Sequence, residues 1–168
     1  MWYVMQVRTG TEENICCQCQ RMIDSSVLQR CFIPYYQQKK RFQGKWHIQE
    51  KILFPGYVFL IAENTEKLAD GLKNVIGLTK LLGSGEEIIP LSEEEVIWLS
   101  RMGREDQIVE MSSGIIENDR VQVLSGPLQG MEGNICKIDR HKRIAHLRVE
   151  MFGRTIEMKV GLEIIRKE

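Results

Sequence analysis

The chain has 168 residues, 43% of them hydrophobic and 27% charged, which is ordinary for a folded protein of one domain or two small ones. Its 23 Lys and Arg residues balance 23 Asp and Glu residues, so contact with a nucleic acid would need a local basic patch. No apolar run approaches the roughly 18 to 20 residues of a membrane span, no signal peptide is recognisable, and five irregularly spaced cysteines predict reduced thiols in the cytoplasm.

The N-terminal segment predicts a strand followed by a helix. Residues 2–8 alternate in the manner of a strand, and Thr11 is placed to cap a helix that ends near Ser25. Four apolar residues at helical spacing form the predicted core face, namely Ile15, Cys19, Met22 and Ile23.

Three strand signals follow. Residues 31–36 predict a short strand broken by a proline, and Gln43-Gly44 is typical of the tip of a hairpin. Residues 52–61 form the most apolar run of the chain, and residues 54–61 are the predicted strand within it. A Pro-Gly pair lies near the start of this run, and the aromatic and β-branched residues after it predict a strand buried on both faces.

Two further helices are predicted in the next segment. Thr65 is placed to cap the first of them, and a short strand over residues 78–82 follows, ended by Gly83-Ser84-Gly85. Ser92 and Glu95 have the spacing of a capping box at the start of a helix that reaches about Gly103. These elements predict an α+β fold with helices on a small antiparallel sheet.

The character of the chain changes after residue 105. Residues 106–116 are polar and predict a linker, whereas residues 117–168 carry short strands separated by turn signals. Such a series predicts a small all-β barrel, because closure removes exposed sheet edges. The predicted domains are therefore residues 1–105 and 117–168.

The most specific local motif lies at residues 119–135, where an alternating strand runs into Gly-Pro and three spaced glycines precede a second strand. This pattern resembles the KOW motif. Together with Trp-Tyr-Val at residues 2–4 and Phe-Pro-Gly-Tyr-Val-Phe at residues 54–59, it resembles the NusG family of transcription elongation factors over residues 2–166.

The resemblance implies that the amino-terminal domain docks an apolar depression on the clamp helices of RNA polymerase. Phe54, Tyr57 and Phe59 match the stretch that lines this pocket. Tyr3 matches the opening strand, which packs close by and serves structure more than contact. Residues alone also allow a simpler interpretation, in which the run is a core strand.

Two residues of the barrel resemble a family site for protein partners. Phe152 and Arg154 match the ends of a Phe-Gly-Arg sequence whose phenylalanine helps NusG bind partners such as ribosomal protein S10. Burial in the barrel core is the alternative for Phe152.

Basic residues cluster in the predicted barrel and give a local excess of four positive charges. A hairpin tip with several cations within one Debye length predicts contact with RNA phosphates, although a solvated turn is the alternative. The predicted RNA-binding residues are Lys137, Arg140, His141, Lys142, Arg143 and Arg148.

Weaker candidates for nucleic-acid contact lie in the amino-terminal domain. Arg8 and Arg21 match places where related specialised factors carry basic residues facing the non-template DNA strand. Lys39-Lys40-Arg41 is a second candidate.

Other groups of residues indicate no catalytic, nucleotide-binding or metal site. Cys16-Cys17-Gln18-Cys19 lacks a second pair of ligands at zinc spacing, and Cys31 and Cys136 are predicted to be small core residues. No nucleophile with a partnering base, no dinucleotide loop and no Walker sequence is present. The sequence therefore predicts no enzyme, no cofactor and no metal.

Within the family, the short linker and the basic turn resemble specialised LoaP-type antiterminators, which are associated with RNA hairpins in operon leaders. The resulting hypothesis is a regulator that binds RNA polymerase and promotes antitermination of chosen operons through a leader hairpin. A general NusG elongation factor, or a KOW module that binds RNA or ribosomes without polymerase, are the alternatives.

Overall fold

The computed structural model describes residues 1–84 and 87–168. The predicted turn at Gly83-Ser84-Gly85 thus lies partly outside the described residues. The chain forms two compact units, of which the first is Met1–Ile33 with Phe54–Ile97, and the second is Pro34–Leu53 with Trp98–Glu168.

Within the described ranges, the helices are α1 (Glu12–Met22), α2 (Thr65–Leu72) and α3 (Glu93–Gly103), and a short 3-10 helix covers Glu132–Asn134. The strands are β1 (Trp2–Val7), β2 (Leu28–Phe32), β3 (Tyr35–Phe42), β4 (Lys45–Ile52), β5 (Tyr57–Ala62), β6 (Thr79–Leu81), β7 (Gly83–Ser84), β8 (Glu87–Ile88), β9 (Ile108–Val109), β10 (Ser112–Glu117), β11 (Arg120–Ser125), β12 (Ile135–Asp139), β13 (Ile144–Met151) and β14 (Arg154–Lys167).

The first unit is built on an antiparallel sheet with strand order β2-β5-β1-β6. Strand β5 lies between two others, and its residues Val58, Phe59 and Leu60 are each fully buried. Consecutive strand residues point to opposite faces, so β5 is covered on both of them. The predicted strand at residues 54–61, buried on both faces, is thus confirmed for Tyr57–Ala62.

A buried carboxylate joins the start of α1 to the turn before β5. The two carboxylate oxygens of Glu12, which is 2% exposed, accept hydrogen bonds from the N–H of Gly10 (2.6 Å) and of Gly56 (3.0 Å). Gly56 has a φ of +87°, where a residue with a Cβ would be strained. Glu12 therefore secures the Pro55-Gly56 turn that leads into Tyr57.

Of the three predicted side-chain caps, that of α3 forms as predicted. In α3, the Ser92 N–H donates to Glu95 and the Glu95 N–H donates to Ser92, which confirms the capping box. The cap of α2 is Asn64, whose side chain accepts from the Lys67 N–H at 3.0 Å, because the Thr65 hydroxyl is instead bonded to Tyr3.

Thr11 is the N-cap residue of α1, as predicted, but its side chain does not cap the helix. The Thr11 hydroxyl donates to the Arg8 carbonyl at 2.6 Å, and its side chain makes no capping bond. Near the start of this helix, the Glu12 carboxylate instead accepts a hydrogen bond from the Gly10 N–H.

In the second unit, β3 and β4 form an antiparallel hairpin whose turn residues Gln43 and Gly44 both have positive φ, as predicted for this tip. Strand β9 pairs with β3 in parallel. A separate five-stranded sheet has the order β11-β10-β14-β13-β12, in which β10 and β14 run parallel. The structure thus forms β9 and β10 largely from residues that the sequence assigned to a linker.

This five-stranded sheet has β11 and β12 at its edges, so its hydrogen-bonded order is that of an open sheet rather than a fully closed barrel. Its apolar face is nonetheless well covered, since Leu128, Leu147 and Leu162 are fully buried. The Val123 N–H donates to the Glu132 carboxylate at 3.0 Å, which ties β11 to the segment before β12.

Two residues predicted to be in the core are exposed. Met22 is 45% exposed at the last turn of α1, although Ile15, Cys19 and Ile23 of the same predicted face are buried. Cys136 is exposed because it lies on edge strand β12, whereas Cys31 is buried as predicted.

The thiols of Cys16, Cys19 and Cys31 lie together in the first unit. Hydrogen bonds with Cys16 and Cys19 raise the pKa of the Cys31 thiol, and burial raises it further. Since the thiolate is the reactive form, Cys31 is held in its unreactive state.

We expect two of the five cysteines to react with iodoacetamide in the native protein. Cys17 and Cys136 are exposed, whereas the other three are buried and can react only after local unfolding exposes them. Peptide mass spectrometry after a short pulse should find label on these two residues, and a urea-unfolded control should carry it on all five. Early labelling of Cys31 would contradict the burial of this cluster.

None of the helices described here is long and apolar enough to cross a membrane. Among the side chains that the structure describes, no group of three or more His, Cys, Asp or Glu residues is placed to hold a metal ion.

Candidate nucleic-acid interface

The residues predicted to dock on polymerase lie around β5 in the first unit. Tyr3 and Phe59 are fully buried and Phe54 is 2% exposed, with the ring centroids of Phe54 and Phe59 5.5 Å apart. Phe32 stacks on Phe59 at 5.5 Å. Tyr57 is only half-buried, so it is the member of this predicted group that presents surface to a partner.

In the second unit, the hairpin β3–β4 has one face of mixed polar and basic residues. Directly opposed residues of an antiparallel pair share a face, and the register places Tyr36 opposite Lys51 and Lys40 opposite His47. Gln38 lies between these pairs on the same face and is 1% exposed. Lys40 and Lys51 therefore lie on the same face of the hairpin as the buried Gln38, one on either side of it.

Direct contacts join the hairpin to the five-stranded sheet. The Gln38 side-chain Nε2 donates to the Lys142 carbonyl at 3.0 Å, and the Lys39 ammonium pairs with Glu163 of β14 at 2.9 Å. At Gly161 of β14, a Cβ would come within 2.3 Å of the Gln37 carbonyl oxygen. The backbones approach closely at this point, and only glycine permits it.

A cleft of about 440 Å³ lies between the hairpin and the turn that connects β12 to β13. Its lining contains eight Lys and Arg residues and a single carboxylate, so its charge is strongly positive although that of the whole chain is zero. The lining residues are Tyr36, Gln38, Lys39, Lys40, Arg41, Lys51, Lys137, Asp139, His141, Lys142, Arg143, Ile144, His146 and Lys159.

The single carboxylate of the cleft serves the local turn. The Asp139 side chain accepts from the Lys142 N–H at 2.9 Å, and this bond, with smaller contributions from Lys142, His141 and Lys137, lowers the pKa of Asp139. The pKa of Lys51 is lowered by desolvation and by Lys40, Lys159 and Lys142. The cations thus repel one another in the unliganded cleft.

An aromatic ring stands beside the cleft on the other face of the hairpin. Trp46 is 44% exposed, and the Arg143 guanidinium lies 4.0 Å from the centroid of its ring. Lys39 and Arg41 lie at 5.1 Å and 5.7 Å from the same ring system. Such cation–π contacts hold three of the basic side chains that line the cleft against the Trp46 ring.

The predicted RNA-binding residues divide into two groups. Lys137, His141, Lys142 and Arg143 line the cleft. Arg140 is exposed outside the lining, and Arg148 is exposed and pairs with Glu157 at 3.4 Å.

The remaining predicted residues are not among those that line the cleft. Arg8 and Arg21 are exposed in the first unit. Phe152 is half-buried at a φ of +57°, and Arg154 is exposed at the start of β14. Their predicted contacts with DNA and with a protein partner stay predictions.

Sequence reasoning missed Lys51, Lys159 and Gln38 as parts of this site. The alternation of β4 places Lys51 opposite Tyr36, which could have been read from the predicted hairpin. For Lys159 no local signal exists, since it reaches the cleft only through the pairing of β14 with β13.

Comparisons with known proteins agree on one family. The family model described as transcription termination factor nusG matches residues 1–99. The chain is 30% identical over 171 residues to the transcription termination/antitermination protein NusG of Bacillus subtilis, covering 96% of this chain and 94% of that protein. For NusG of Borreliella burgdorferi, the identity is 26% over 184 residues, with 99% and 97% covered.

A solved structure concerned with domain interaction in Thermotoga maritima NusG has a similar fold. It matches with a TM-score of 0.58 at 23% sequence identity, covering 97% of this chain and 93% of that one. At this identity, the likeness concerns the fold alone.

Proposed function

The chain belongs to the NusG family of transcription termination/antitermination factors, and from this membership we propose that it binds RNA polymerase and promotes processive antitermination of specific operons. The proposed trigger is an RNA hairpin in the operon leader, bound by a carboxy-terminal domain of the KOW type. Proteins of this family are transcription factors and generally not enzymes, so the mechanism needs binding energy and no chemistry.

Polymerase docking is assigned to the surface around Tyr57. The family resemblance implies a clamp-helix contact at the Phe-Pro-Gly-Tyr-Val-Phe stretch, and this proposal is supported by Tyr57, the accessible aromatic residue of the stretch. Tyr3, Phe54 and Phe59 lie buried beneath and beside it, where they support the strand. An aromatic side chain on a rigid strand suits a docking surface, because little conformational entropy is lost on binding.

The basic cleft is the observation that carries the RNA-binding part of the proposal. Eight cations face one carboxylate in a space of about 440 Å³, and four of the predicted RNA-binding residues contribute to it. Phosphate groups neutralise such a cluster and release condensed counterions, which favours binding.

Two further contacts follow from the resemblance and belong to the same proposal. Phe152 and Arg154 would bind a protein partner such as ribosomal protein S10, and Arg8 and Arg21 would face the non-template DNA strand. Their exposure or partial exposure is compatible with these roles.

General elongation control is a second candidate, favoured by similarity to NusG of Bacillus subtilis over nearly the whole chain. In that case the protein would act on every template. A leader hairpin would then make no difference to its activity.

A termination read-through assay with the purified cognate RNA polymerase separates the two candidates. We expect read-through of an intrinsic terminator only on templates whose transcribed leader contains the candidate hairpin, because RNA binding recruits the factor. Templates with the hairpin sequence scrambled serve as controls. Equal read-through on both templates would favour the general role, and none on either would contradict the proposal.

A further inference from the structure

The cleft is built by two chain segments that are far apart in sequence. We propose that RNA is bound by a composite site, in which the hairpin β3–β4 contributes as many cations as the five-stranded sheet does. This proposal rests on the RNA-binding function proposed above and extends it to the hairpin. The cations that the hairpin supplies are Lys39, Lys40, Arg41 and Lys51.

The charges of the cleft call for an anionic ligand. Among the described residues, an ion pair reaches one of the eight lining cations, Lys39, through its contact with Glu163. Salt screens charges over a Debye length of about 8 Å. The other cations line one cleft of about 440 Å³, so salt only partly screens their mutual repulsion. The backbone of a nucleic acid supplies closely spaced phosphates that can neutralise several of them at once.

A buried acceptor at the cleft favours RNA over DNA. The Nε2 of Gln38 donates to the Lys142 carbonyl, and because a carbonyl can only accept, the side-chain oxygen must point elsewhere. This Oε1 atom has no hydrogen-bond partner in the part of the chain that the structure describes. It is buried although Gln38 lines the cleft, so a donor on a ligand reaches it only when the Gln38 side chain turns toward the cleft. A ribose 2′-hydroxyl is a donor that RNA carries next to each phosphate and that DNA lacks.

The Trp46 ring beside the cleft suits an unpaired base. Trp46 is 44% exposed, and two cations that line the cleft, Lys39 and Arg143, lie 5.1 Å and 4.0 Å from the centroid of its ring. Bases of single-stranded segments stack on aromatic side chains beside basic grooves. We therefore assign the phosphates and riboses of an RNA stem-loop to the cleft and a loop base to the Trp46 ring.

The hairpin contribution can be measured on the full chain with a fluorescein-labelled RNA stem-loop of mixed sequence and a DNA stem-loop of the same sequence. Anisotropy titrations over a range of KCl concentrations give the affinity and its salt dependence. We expect Lys40→Ala combined with Lys51→Ala to weaken RNA binding about tenfold and to reduce the salt slope by about 2, since each phosphate contact contributes roughly 1.

The matched control combines Lys45→Ala with Lys67→Ala. It removes the same charge from two exposed lysines outside the cleft, one of them on the same hairpin. RNA affinity should stay within about twofold of the wild type. If the control loses as much RNA affinity as the cleft variant does, the net charge of the protein rather than the cleft determines binding. This result would overturn the composite site.

A third variant separates the failure of this inference from the failure of the proposed function. Arg140→Ala, Lys142→Ala and Arg143→Ala together alter the turn but leave the Lys142 carbonyl that Gln38 contacts. If this variant loses RNA binding while the hairpin variant binds as the wild type does, the composite site is wrong and the proposed function stands. If both bind normally, both proposals fall. Equal affinity of the wild type for DNA would overturn the assignment to RNA.

Discussion

Tyr57→Ala is expected to weaken binding to RNA polymerase at least about thirtyfold, while the protein stays folded. An aromatic residue at the centre of a docking surface typically contributes about 2 kcal/mol or more, which corresponds to this factor. Tyr57 is half-buried, so its truncation costs the fold only about 1 to 2 kcal/mol. Biolayer interferometry with immobilised polymerase measures the affinity, and circular dichroism confirms the fold.

Two neighbours on the same strand serve as controls for Tyr57. Ile61 is half-buried and points to the same face four residues further on, and Ile61→Ala should keep most of the binding. Phe59 is fully buried, and Phe59→Ala should lose binding by destabilising the fold by about 3 to 5 kcal/mol. Wild-type affinity in a folded Tyr57→Ala protein would contradict the docking surface.

Glu12→Ala is expected to lower the free energy of unfolding by about 3 kcal/mol. The substitution leaves the N–H groups of Gly10 and Gly56 without their carboxylate acceptor, and each lost bond to a charged group costs about 1.5 to 3 kcal/mol. The melting temperature should fall by about 6 to 12 °C. Urea unfolding followed by circular dichroism gives the free energy directly.

Glu93→Ala is the matched control for this second substitution. Glu93 is likewise the first residue of a helix, α3, but it is exposed, so its loss should change stability by at most about 0.5 kcal/mol. Similar effects of the two substitutions would show that a general interaction with the helix dipole matters, rather than the bonds to Gly10 and Gly56.

Elements with strong local signals could be predicted from the sequence. Ser92 and Glu95 are three residues apart, and the hydrogen bonds between them depend on local helix geometry rather than on tertiary contacts. Gln43-Gly44 likewise forms the hairpin tip, because both residues tolerate positive φ. The strand at Tyr57–Ala62 was recognisable from its apolar residues alone.

Features decided by tertiary contacts could not be predicted. Thr65 and Asn64 are both good capping residues, and a hydroxyl contact with Tyr3 removes Thr65 from that role. Cys136 is exposed because its strand happens to lie at a sheet edge. Strand β10 looks like a linker because its polar residues gain their partners only by pairing with β11 and β14.

The candidate site was predictable in its parts but not in its assembly. Lys39-Lys40-Arg41 and the basic turn at residues 140–143 both stand out as basic clusters in the sequence. Nothing local indicates that they border the same cleft, since this depends on contacts such as that between Gln38 and Lys142.

The contacts that attach the hairpin also set an order of folding during synthesis. Gln38 and Lys39 bond to residues that lie 104 and 124 positions later in the chain. Closing such long loops is entropically costly, and contacts of this kind form late and slowly. The hairpin is translated early, but its basic face is expected to gain the opposite wall of the cleft only after β14 has left the ribosome. A nascent chain would therefore pass through a stage in which the first unit can fold and the proposed RNA site does not yet exist.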